Sequence, residues 1–185
     1  MEPDSQLILA SASPRRRELL ASLEVDFRVV VPEIDETPLP GEKPRAFAER
    51  LAEEKACAVD ADGTVVAADT IVVQNETILG KPADAAHARE MLSSLSGKTH
   101  EVVTGVCVKS AARTVVFSVV TEVVFRILTA GEIARYVATG EPMDKAGAYA
   151  IQGGAAHMVR SIRGSYTNVV GLPLCELHET LLSFD

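Results

Sequence analysis

The chain has 185 residues, of which 47% are hydrophobic and only 4% aromatic. This length suits one domain, or two lobes that share a sheet, with a core built mainly of aliphatic side chains. A formal net charge of −8 argues against a nucleic-acid polymer as partner, because phosphate backbones require a basic surface. No apolar run approaches the length of a membrane span and the first residues are acidic, so we expect a cytoplasmic protein with no membrane partner.

The cysteines and histidines carry no recognisable metal or disulfide pattern. Cys57, Cys107 and Cys175 are odd in number and widely spaced, which predicts unpaired core thiols in a reducing compartment. The four histidines show no i, i+4 pairing of the kind that binds zinc, so a zinc site is not expected.

The first informative segment is S-A-S-P-R-R-R-E-L-L, which follows a short apolar strand predicted over 7–11. Ser13 is a favourable N-cap and Pro14 suits the first position of a helix. Three arginines then occupy the first turn: Arg15, Arg16 and Arg17. Cations at this end oppose the helix dipole by about 0.3–1 kcal/mol each. Arginines beside free amides at a helix start indicate a phosphate site, and a solvated basic turn is the alternative.

A second strand is predicted over 25–31, followed by an acidic loop that contains Glu36. The acidic side chains of this loop are interpreted as surface charges, or one of them as a metal ligand. A helix predicted over 44–59 places Lys55 on the same stripe as Phe47. A lysine on that face either extends to solvent or points into a cleft.

The stretch 65–82 opens as an apolar, β-branched run that predicts a buried strand containing Asp69. An ionised carboxylate there is costly unless a cation or a metal pairs with it, and backbone donors are the structural alternative. A turn then presents Lys81 between a glycine and a proline. One carboxylate and one ammonium, both rigidly held, suit a site that handles phosphates and a metal.

The remaining segments predict alternating helices and strands. They are a helix over 84–95, an antiparallel hairpin of 99–109 with 114–127, a capped helix over 129–137, strands over 156–162 and 165–170, and a terminal helix from Pro173. The glycine- and alanine-rich stretch 144–155 surrounds Lys145 and Gln152 and leaves room for a ligand to approach the backbone. A purely structural loop is the alternative.

Six motifs together resemble the Maf family of nucleoside-triphosphate pyrophosphatases. They are S-A-S-P-R-R at 11–16, A-A-D-T-I-V at 67–72, G-K-P at 80–82, S-G-K-T-H at 96–100, D-K-A-G-A-Y-A-I-Q-G at 144–153 and G-S-Y-T-N-V-V-G-L-P at 164–173. The resemblance covers nearly the whole chain. It implies one Maf-like α/β domain over 1–185, with two lobes around a long mixed sheet flanked by helices, similar to inosine-triphosphate pyrophosphatases. It also implies that the nucleotide lies in the cleft between the lobes.

The resemblance further implies metal-dependent hydrolysis of a nucleoside triphosphate to the monophosphate and pyrophosphate, a housekeeping activity. A-Y-A-I-Q-G resembles the subgroup that acts on dTTP and UTP. Modified pyrimidine nucleotides are left open as further substrates. The subgroup that acts on 7-methyl-GTP is similar but has glutamate at the position of Gln152, and a pyrophosphatase for 7-methyl-GTP is the alternative within the family. Because Maf proteins are also described as septum-formation inhibitors, a nucleotide-binding regulator of cell division is the alternative to an enzyme.

The same resemblance assigns roles to individual residues. Asp69 matches the catalytic acid/base position, and Lys81 is assigned to catalysis with it. Glu36 and Asp69 are the expected ligands of a divalent ion, Mg²⁺ in the first place, with Mn²⁺ or Co²⁺ as alternatives. The expected substrate-binding residues are Ser13, Arg15, Arg16, Lys55, Thr70, Lys145 and Gln152. The expected partner is a small nucleoside triphosphate, and a homodimer is left open beside a monomer.

The amide of Gln152 suits a pyrimidine. It can donate to O4 and accept from N3–H of thymine or uracil. Because an amide can also turn over and serve cytosine, rejection of CTP must come from elsewhere.

Overall fold

A computed structural model of the chain describes residues 7–184. Within this range, the strands and helices follow one another in mixed order. The strands are β1 (Leu7–Ala10), β2 (Phe27–Val30), β3 (Thr64–Gln74), β4 (Thr77–Leu79), β5 (Thr99–Lys109), β6 (Thr114–Phe125) and β7 (Val159–Arg163). The α-helices are α1 (Pro14–Ala21), α2 (Pro44–Cys57), α3 (Ala85–Leu95), α4 (Ala130–Ala138), α5 (Tyr166–Val170) and α6 (Leu174–Leu182).

The strands form one mixed sheet in the order β2-β1-β3-β5-β6-β7, with β4 paired to β3. β1 pairs in parallel with both β2 and β3, whereas the β3–β4 and β6–β7 pairs are antiparallel. β5 and β6 are neighbours joined by a tight turn, in which the Ser110 N–H donates to the Arg113 carbonyl at 2.8 Å. Only an antiparallel pair can be joined by so short a link. The expected α/β class, with a long mixed sheet and flanking helices, is confirmed.

The chain divides into two compact units. The first comprises Met1–Asp69, Thr104–Val119 and Gly171–Asp185, and the second comprises Thr70–Val103 and Val120–Val170. In the first unit, alternate residues of β1 enter two different cores. Ile8 packs with Ala52 and Ala56 of α2, whereas Leu9 packs with Leu20 of α1 and Leu177 of α6. The period of two along the strand therefore places α2 on one face and both α1 and α6 on the other.

Helix α2 lies unusually close to β5 in the first unit. A Cβ atom at Gly105 would lie 2.2 Å from the carbonyl oxygen of Ala48, far inside van der Waals contact. Only glycine therefore allows this approach of helix and strand.

The core of the second unit contains α3, α4 and the segment around Tyr149. His100 and Tyr149 are both buried, and His100 Nε2 lies 2.8 Å from the Tyr149 hydroxyl. Both rings meet Phe125 edge to face. Because burial disfavours the imidazolium, the pKa of His100 is lowered to about 4.

Two predicted strands differ from the structure. The segment 165–170 is not a strand but contains helix α5, because the Ser165 hydroxyl accepts from the Asn168 N–H and the buried Asn168 amide donates to Val102 and Thr121. In the segment 156–162, the first three residues form a 3₁₀ turn and only then does β7 begin.

The expectation of three core thiols is wrong for two of them. Cys107 is buried, but Cys57 and Cys175 are exposed. Cys57 is the last residue of α2 and Cys175 lies in the first turn of α6, so neither reaches a core. Among the described residues, no helix combines the length and the apolar character that crossing a membrane requires.

Candidate active site

The candidate site lies in the first unit where strand β1 ends and its parallel neighbour β3 continues. Ala10, the last residue of β1, is in register with Ala67 of β3. Asp69 therefore projects from β3 two residues beyond the end of β1, where the chain turns into α1. Segments that follow the carboxyl end of a parallel strand, as the start of α1 follows β1, commonly form ligand sites in α/β proteins.

The start of α1 is built as the sequence predicts. Ser13 is the N-cap, and its hydroxyl accepts from the Arg16 N–H at 3.4 Å. Ser11, just after β1, accepts from the Ser13 N–H at 3.2 Å and from Arg16 Nη1 at 3.3 Å. Arg16 Nε also donates to the carbonyl of Gly171 at 2.8 Å. The Arg16 side chain is thus held in place, whereas Arg15 is half-buried and Arg17 is exposed.

Lys55 brings the two expected carboxylates together. Its Nζ lies 2.6 Å from Asp69 Oδ1 and 2.7 Å from Glu36 Oε1. The Lys55 and Asp69 side chains are only 11% and 13% exposed, whereas that of Glu36 is 50% exposed. Lys55 therefore points inward to a cluster of charges. The ammonium of Lys55 is the cation that pairs with Asp69, and the sequence analysis named a cation or a metal as the partner that Asp69 needs.

The field of this cluster acts on Arg16 as well. Burial lowers the pKa of Arg16, while the nearby carboxylates of Asp69 and Glu36 raise it and the guanidinium of Arg15 lowers it. Together with the ion pairs of Lys55, these effects place five charged residues near one another: Arg15, Arg16, Lys55, Asp69 and Glu36. The structure thus unites five of the predicted site residues.

The acidic segment that carries Glu36 is attached to α2 by Arg50. Its guanidinium donates to both oxygens of Glu42, at 2.6 and 2.8 Å, and to the carbonyl of Thr37 at 3.1 Å. The hydrogen bond from Arg50 holds the pKa of Glu42 at about 2. The Leu39 N–H also donates to Glu42, at 3.0 Å. The chain just after Glu36 is therefore held to α2 through Thr37, Leu39 and Glu42.

Four further predicted site residues belong to the second unit. Lys81 is exposed, and Lys145 pairs with the carboxylate of Asp144. Their two loops are joined by a hydrogen bond from the Gly147 N–H to the Gly80 carbonyl at 3.0 Å. Gly147 has φ +65°, and a Cβ atom there would lie 2.9 Å from the Val72 side chain, so the loop requires glycine. Gln152 is exposed within the same loop, and Thr70 is half-buried at the start of this unit.

The first turn of α1, which contains Arg15, Arg16 and Arg17, is called the arginine turn. The sequence analysis missed two hydrogen-bond partners of this turn. The Ser11 hydroxyl was within the quoted S-A-S-P motif, and its position just past a strand was a usable signal. The Gly171 carbonyl lies 155 residues from Arg16 in the chain, so no local pattern could have shown it. The catalytic, metal-binding and substrate-binding roles themselves stay predictions.

The donor set of the cluster suits a divalent ion. Among residues 7–184, no group of three or more His, Cys, Asp or Glu side chains is arranged to hold a metal ion. Glu36 and Asp69 nevertheless contact the same nitrogen, so their oxygens lie close together. Mg²⁺ is typically held by one or two carboxylates, with phosphate oxygens and water completing its shell. The two carboxylates therefore fit a magnesium ion that arrives with a phosphate ligand.

Fold and site together define an α/β protein in which the arginines that follow the end of β1 and a lysine of α2 lie with one carboxylate inside β3 and another from the acidic loop. Comparison with known families gives a match to the family described as Maf-like protein over residues 6–184. The chain belongs to the Maf family.

Several relatives match over nearly the full length. Proteins named dTTP/UTP pyrophosphatase from Geobacter sulfurreducens and Geobacter metallireducens are 59% and 56% identical, covering 95% and 98% of this chain and 95% and 97% of theirs. One of the same name from Yersinia pestis is 52% identical over 96% of this chain and 92% of its own. A solved structure of the Staphylococcus aureus Ham1 protein is 16% identical with a TM-score of 0.43, covering 65% of this chain and 71% of that one.

Proposed function

We propose that this protein is a nucleoside-triphosphate pyrophosphatase that hydrolyses dTTP and UTP to the monophosphate and pyrophosphate. The observation that carries the proposal is the convergence of Glu36 and Asp69 on Lys55 beside the arginine turn. The names of relatives at 52–59% identity support the substrate class. The cytoplasmic nucleotide pool is where such an enzyme would act.

The triphosphate would bind to the arginine turn and Lys55. Charge-assisted hydrogen bonds from guanidinium and ammonium groups are the strong contacts for phosphate oxygens. Arg16 is already oriented by Ser11 and Gly171, so little of its side-chain entropy remains to be lost on binding. The Ser13 hydroxyl and the Arg15 amide would add donors at the positive end of the helix. We assign further phosphate contacts to Lys81 and Lys145.

Asp69 is the group that we assign to the attacking water. The water oxygen bonds to the α-phosphorus, a proton passes to Asp69 Oδ2, and pyrophosphate leaves with the electrons of the broken P–O bond. Lys55 occupies Asp69 Oδ1, so it fixes the orientation of the carboxylate. Lys81 would offset charge on the departing pyrophosphate. A divalent ion, held by Glu36 and Asp69, would supply neutralisation of the phosphate charge.

Base choice is assigned to Gln152 and Thr70. The Gln152 amide would donate to O4 and accept from N3–H of thymine or uracil, whereas a carboxylate at this position would suit the donors of guanine. Gln152 is exposed in its loop and therefore accessible to a nucleotide.

The proposal is tested by pyrophosphate release from dTTP, UTP, CTP, GTP and 7-methyl-GTP with Mg²⁺, repeated with Mn²⁺, Co²⁺ and a chelator. We expect turnover of dTTP and UTP that exceeds turnover of the guanine nucleotides and is abolished by the chelator. Preferred turnover of 7-methyl-GTP would overturn the substrate assignment. Tight nucleotide binding with no release of pyrophosphate would overturn the hydrolase and favour a regulator.

A further inference from the structure

The backbone on both sides of Gln152 is held by one pair of side chains. The Gly154 N–H donates to both oxygens of Glu141, at 3.1 and 3.0 Å. The Tyr136 hydroxyl donates to Glu141 Oε1 at 2.9 Å and accepts from the Ala150 N–H at 3.3 Å. Amides two residues before and two residues after Gln152 therefore converge on the Tyr136–Glu141 pair.

The absence of a side chain at Gly153 allows the Glu141 carboxylate to reach the Gly154 amide. A Cβ atom on Gly153 would lie 1.9 Å from Glu141 Oε1 and 2.6 Å from its Cδ. Any larger residue would push Glu141 away from the Gly154 amide. Gly153 is not in the left-handed region, so the requirement is steric and not conformational.

The pair has a rigid foundation. Tyr136 is 4% exposed and belongs to the core of the second unit, on helix α4, which starts with a complete capping box at Thr129 and Glu132. Hydrogen bonds to an ionised acceptor are about twice as strong as neutral ones. A carboxylate that accepts from a hydroxyl and an amide thus fastens the loop to a helix that is itself well defined.

We propose that Tyr136 and Glu141 are positioning residues that fix Gln152 for reading the nucleobase and so set discrimination among nucleotides. This inference rests on the proposed function, in which Gln152 contacts the base. An exposed side chain can select between bases only if its backbone is fixed, because a mobile amide adapts to either pattern of donors and acceptors. The pair touches neither the triphosphate groups nor the carboxylate cluster in this assignment, so it acts on selectivity more than on chemistry.

The test compares three variants that release the loop by different routes: Tyr136→Phe, Glu141→Gln and Gly153→Ala. Tyr136→Phe keeps the buried ring and removes only the hydroxyl, so it decides the matter if Gly153→Ala fails to fold. Glu101→Gln, an exposed change on β5, is the matched control. Binding of α,β-imido-dUTP and α,β-imido-GTP is measured by calorimetry, which does not depend on turnover. KM and kcat for UTP are measured alongside, and amide exchange is measured at Ala150 and Gly154.

We expect each of the three variants to lower the dUTP-to-GTP affinity ratio about tenfold, which corresponds to about 1.4 kcal/mol. We also expect KM for UTP to rise more than kcat falls, exchange at both amides to accelerate, and the control to match wild type. Equal loss of affinity for both analogues, an unchanged ratio with faster exchange, or no selective binding by wild type would overturn the inference. Selective binding that the variants lose, without any pyrophosphate release, would overturn the proposed hydrolysis and leave the inference standing.

Discussion

Lys55 Nζ and Asp69 Oδ1 lie 2.6 Å apart and join helix α2 to strand β3 in a largely buried ion pair. Removing one partner of such a pair leaves the other charge uncompensated, which is more damaging than removing both. Because Lys55 also contacts Glu36, it retains one partner when Asp69 loses its charge, whereas both carboxylates lose a contact when Lys55 is removed. Loss of the Asp69 charge and loss of Lys55 should therefore affect stability differently, and the two changes can be tested separately.

Asp69→Asn preserves shape and removes the charge that is assigned to the attacking water. We expect pyrophosphate release to fall by about 10² or more. The free energy of unfolding should change by less than about 1 kcal/mol, because Lys55 keeps Glu36 as its partner. Asp62→Asn, at an exposed position, is the control. A folded Asp69→Asn variant with near wild-type turnover would remove Asp69 from catalysis.

Lys55→Met should destabilise the protein by about 3 kcal/mol, because both carboxylates lose their ion pair with this largely buried ammonium. In the Asp69→Asn background the same change should be milder, with a coupling of about 1–3 kcal/mol in a double-mutant cycle. Urea denaturation of the four proteins measures the cycle. Strict additivity would mean that the contact contributes nothing to stability.

The arginine turn should separate into three different phenotypes. Arg15→Ala should raise KM for the triphosphate with little loss of stability, because cations at a helix start are unfavourable to the helix. Arg16→Ala should raise KM and also lower the melting temperature, because its bonds to Ser11 and Gly171 are lost. Arg17→Ala, at an exposed position, should do neither. If Arg15→Ala lowers the melting temperature and leaves the kinetics intact, the turn is structural.

Gln152→Glu replaces a donor and acceptor with two acceptors. The O4 carbonyl of thymine or uracil would then face a carboxylate, an unpaired contact that costs about 1–3 kcal/mol. Preference for dTTP over guanine nucleotides should fall roughly ten- to a hundredfold. The measurement is the ratio of kcat/KM for dTTP and 7-methyl-GTP in both proteins. An unchanged ratio in an active, folded variant would show that Gln152 does not read the base.

His100 should make stability depend on pH between about 6.5 and about 4. Its folded-state pKa is lowered to about 4 by burial, so the unfolded chain takes up a proton first as the pH falls through its ordinary value of about 6.5. Stability is therefore constant above that pH and falls with falling pH through the window, by about 3 kcal/mol at most. Unfolding free energies measured from pH 7.5 to 5 should show this slope.

His100→Gln supplies the comparison, since a neutral amide can still bond to the Tyr149 hydroxyl. Its profile should be flatter over the same range. Below about pH 4.5 the carboxylates of Glu42 and Glu132, whose pKa values are held at about 2 by their arginine partners, add their own loss of stability. Identical slopes for both proteins above pH 5 would assign the dependence to other groups.

Gly105→Ala should destabilise the first unit by about 1–3 kcal/mol, because the added methyl would meet the Ala48 carbonyl. Activity should fall as well, since Ala48 and Lys55 lie two turns apart on the same helix. Gly131→Ala is the matched change in α4, where the nearest atom would be 3.6 Å away. It should be neutral or stabilising by up to about 1 kcal/mol. Equal effects of both changes on urea midpoints would argue against close packing as the cause.

Much of the fold could be predicted because its signals are local. Ser13 caps α1 and Thr129 with Glu132 forms a complete capping box, both through bonds within three residues. The Lys55–Asp69 pair could be foreseen only in part. The strand pattern showed that Asp69 needs a partner, and the helix pattern showed that Lys55 faces inward, but which residues meet is decided by how α2 packs on the sheet.

The failures arise where tertiary contacts override local preference. The β-rich composition of 165–170 favours a strand, yet the buried Asn168 has donors to satisfy, and Val102 and Thr121 offer the acceptors only if the segment is helical. Strand β4 was missed because its turn has no glycine. Asn75 and Glu76 both adopt positive φ in the two-residue link, and only the asparagine favours that conformation.

The burial of Cys107 has a practical consequence for following the unfolding of this protein. Burial, assisted by Cys57 and Glu53, raises the pKa of the Cys107 thiol to about 12, so it is neither accessible nor ionised at neutral pH. Because thiolates are the reactive form, a thiol reagent should modify exposed Cys57 and Cys175 in the native protein and Cys107 only after the first unit opens. The rate at which Cys107 is modified therefore measures how often the core of the first unit opens.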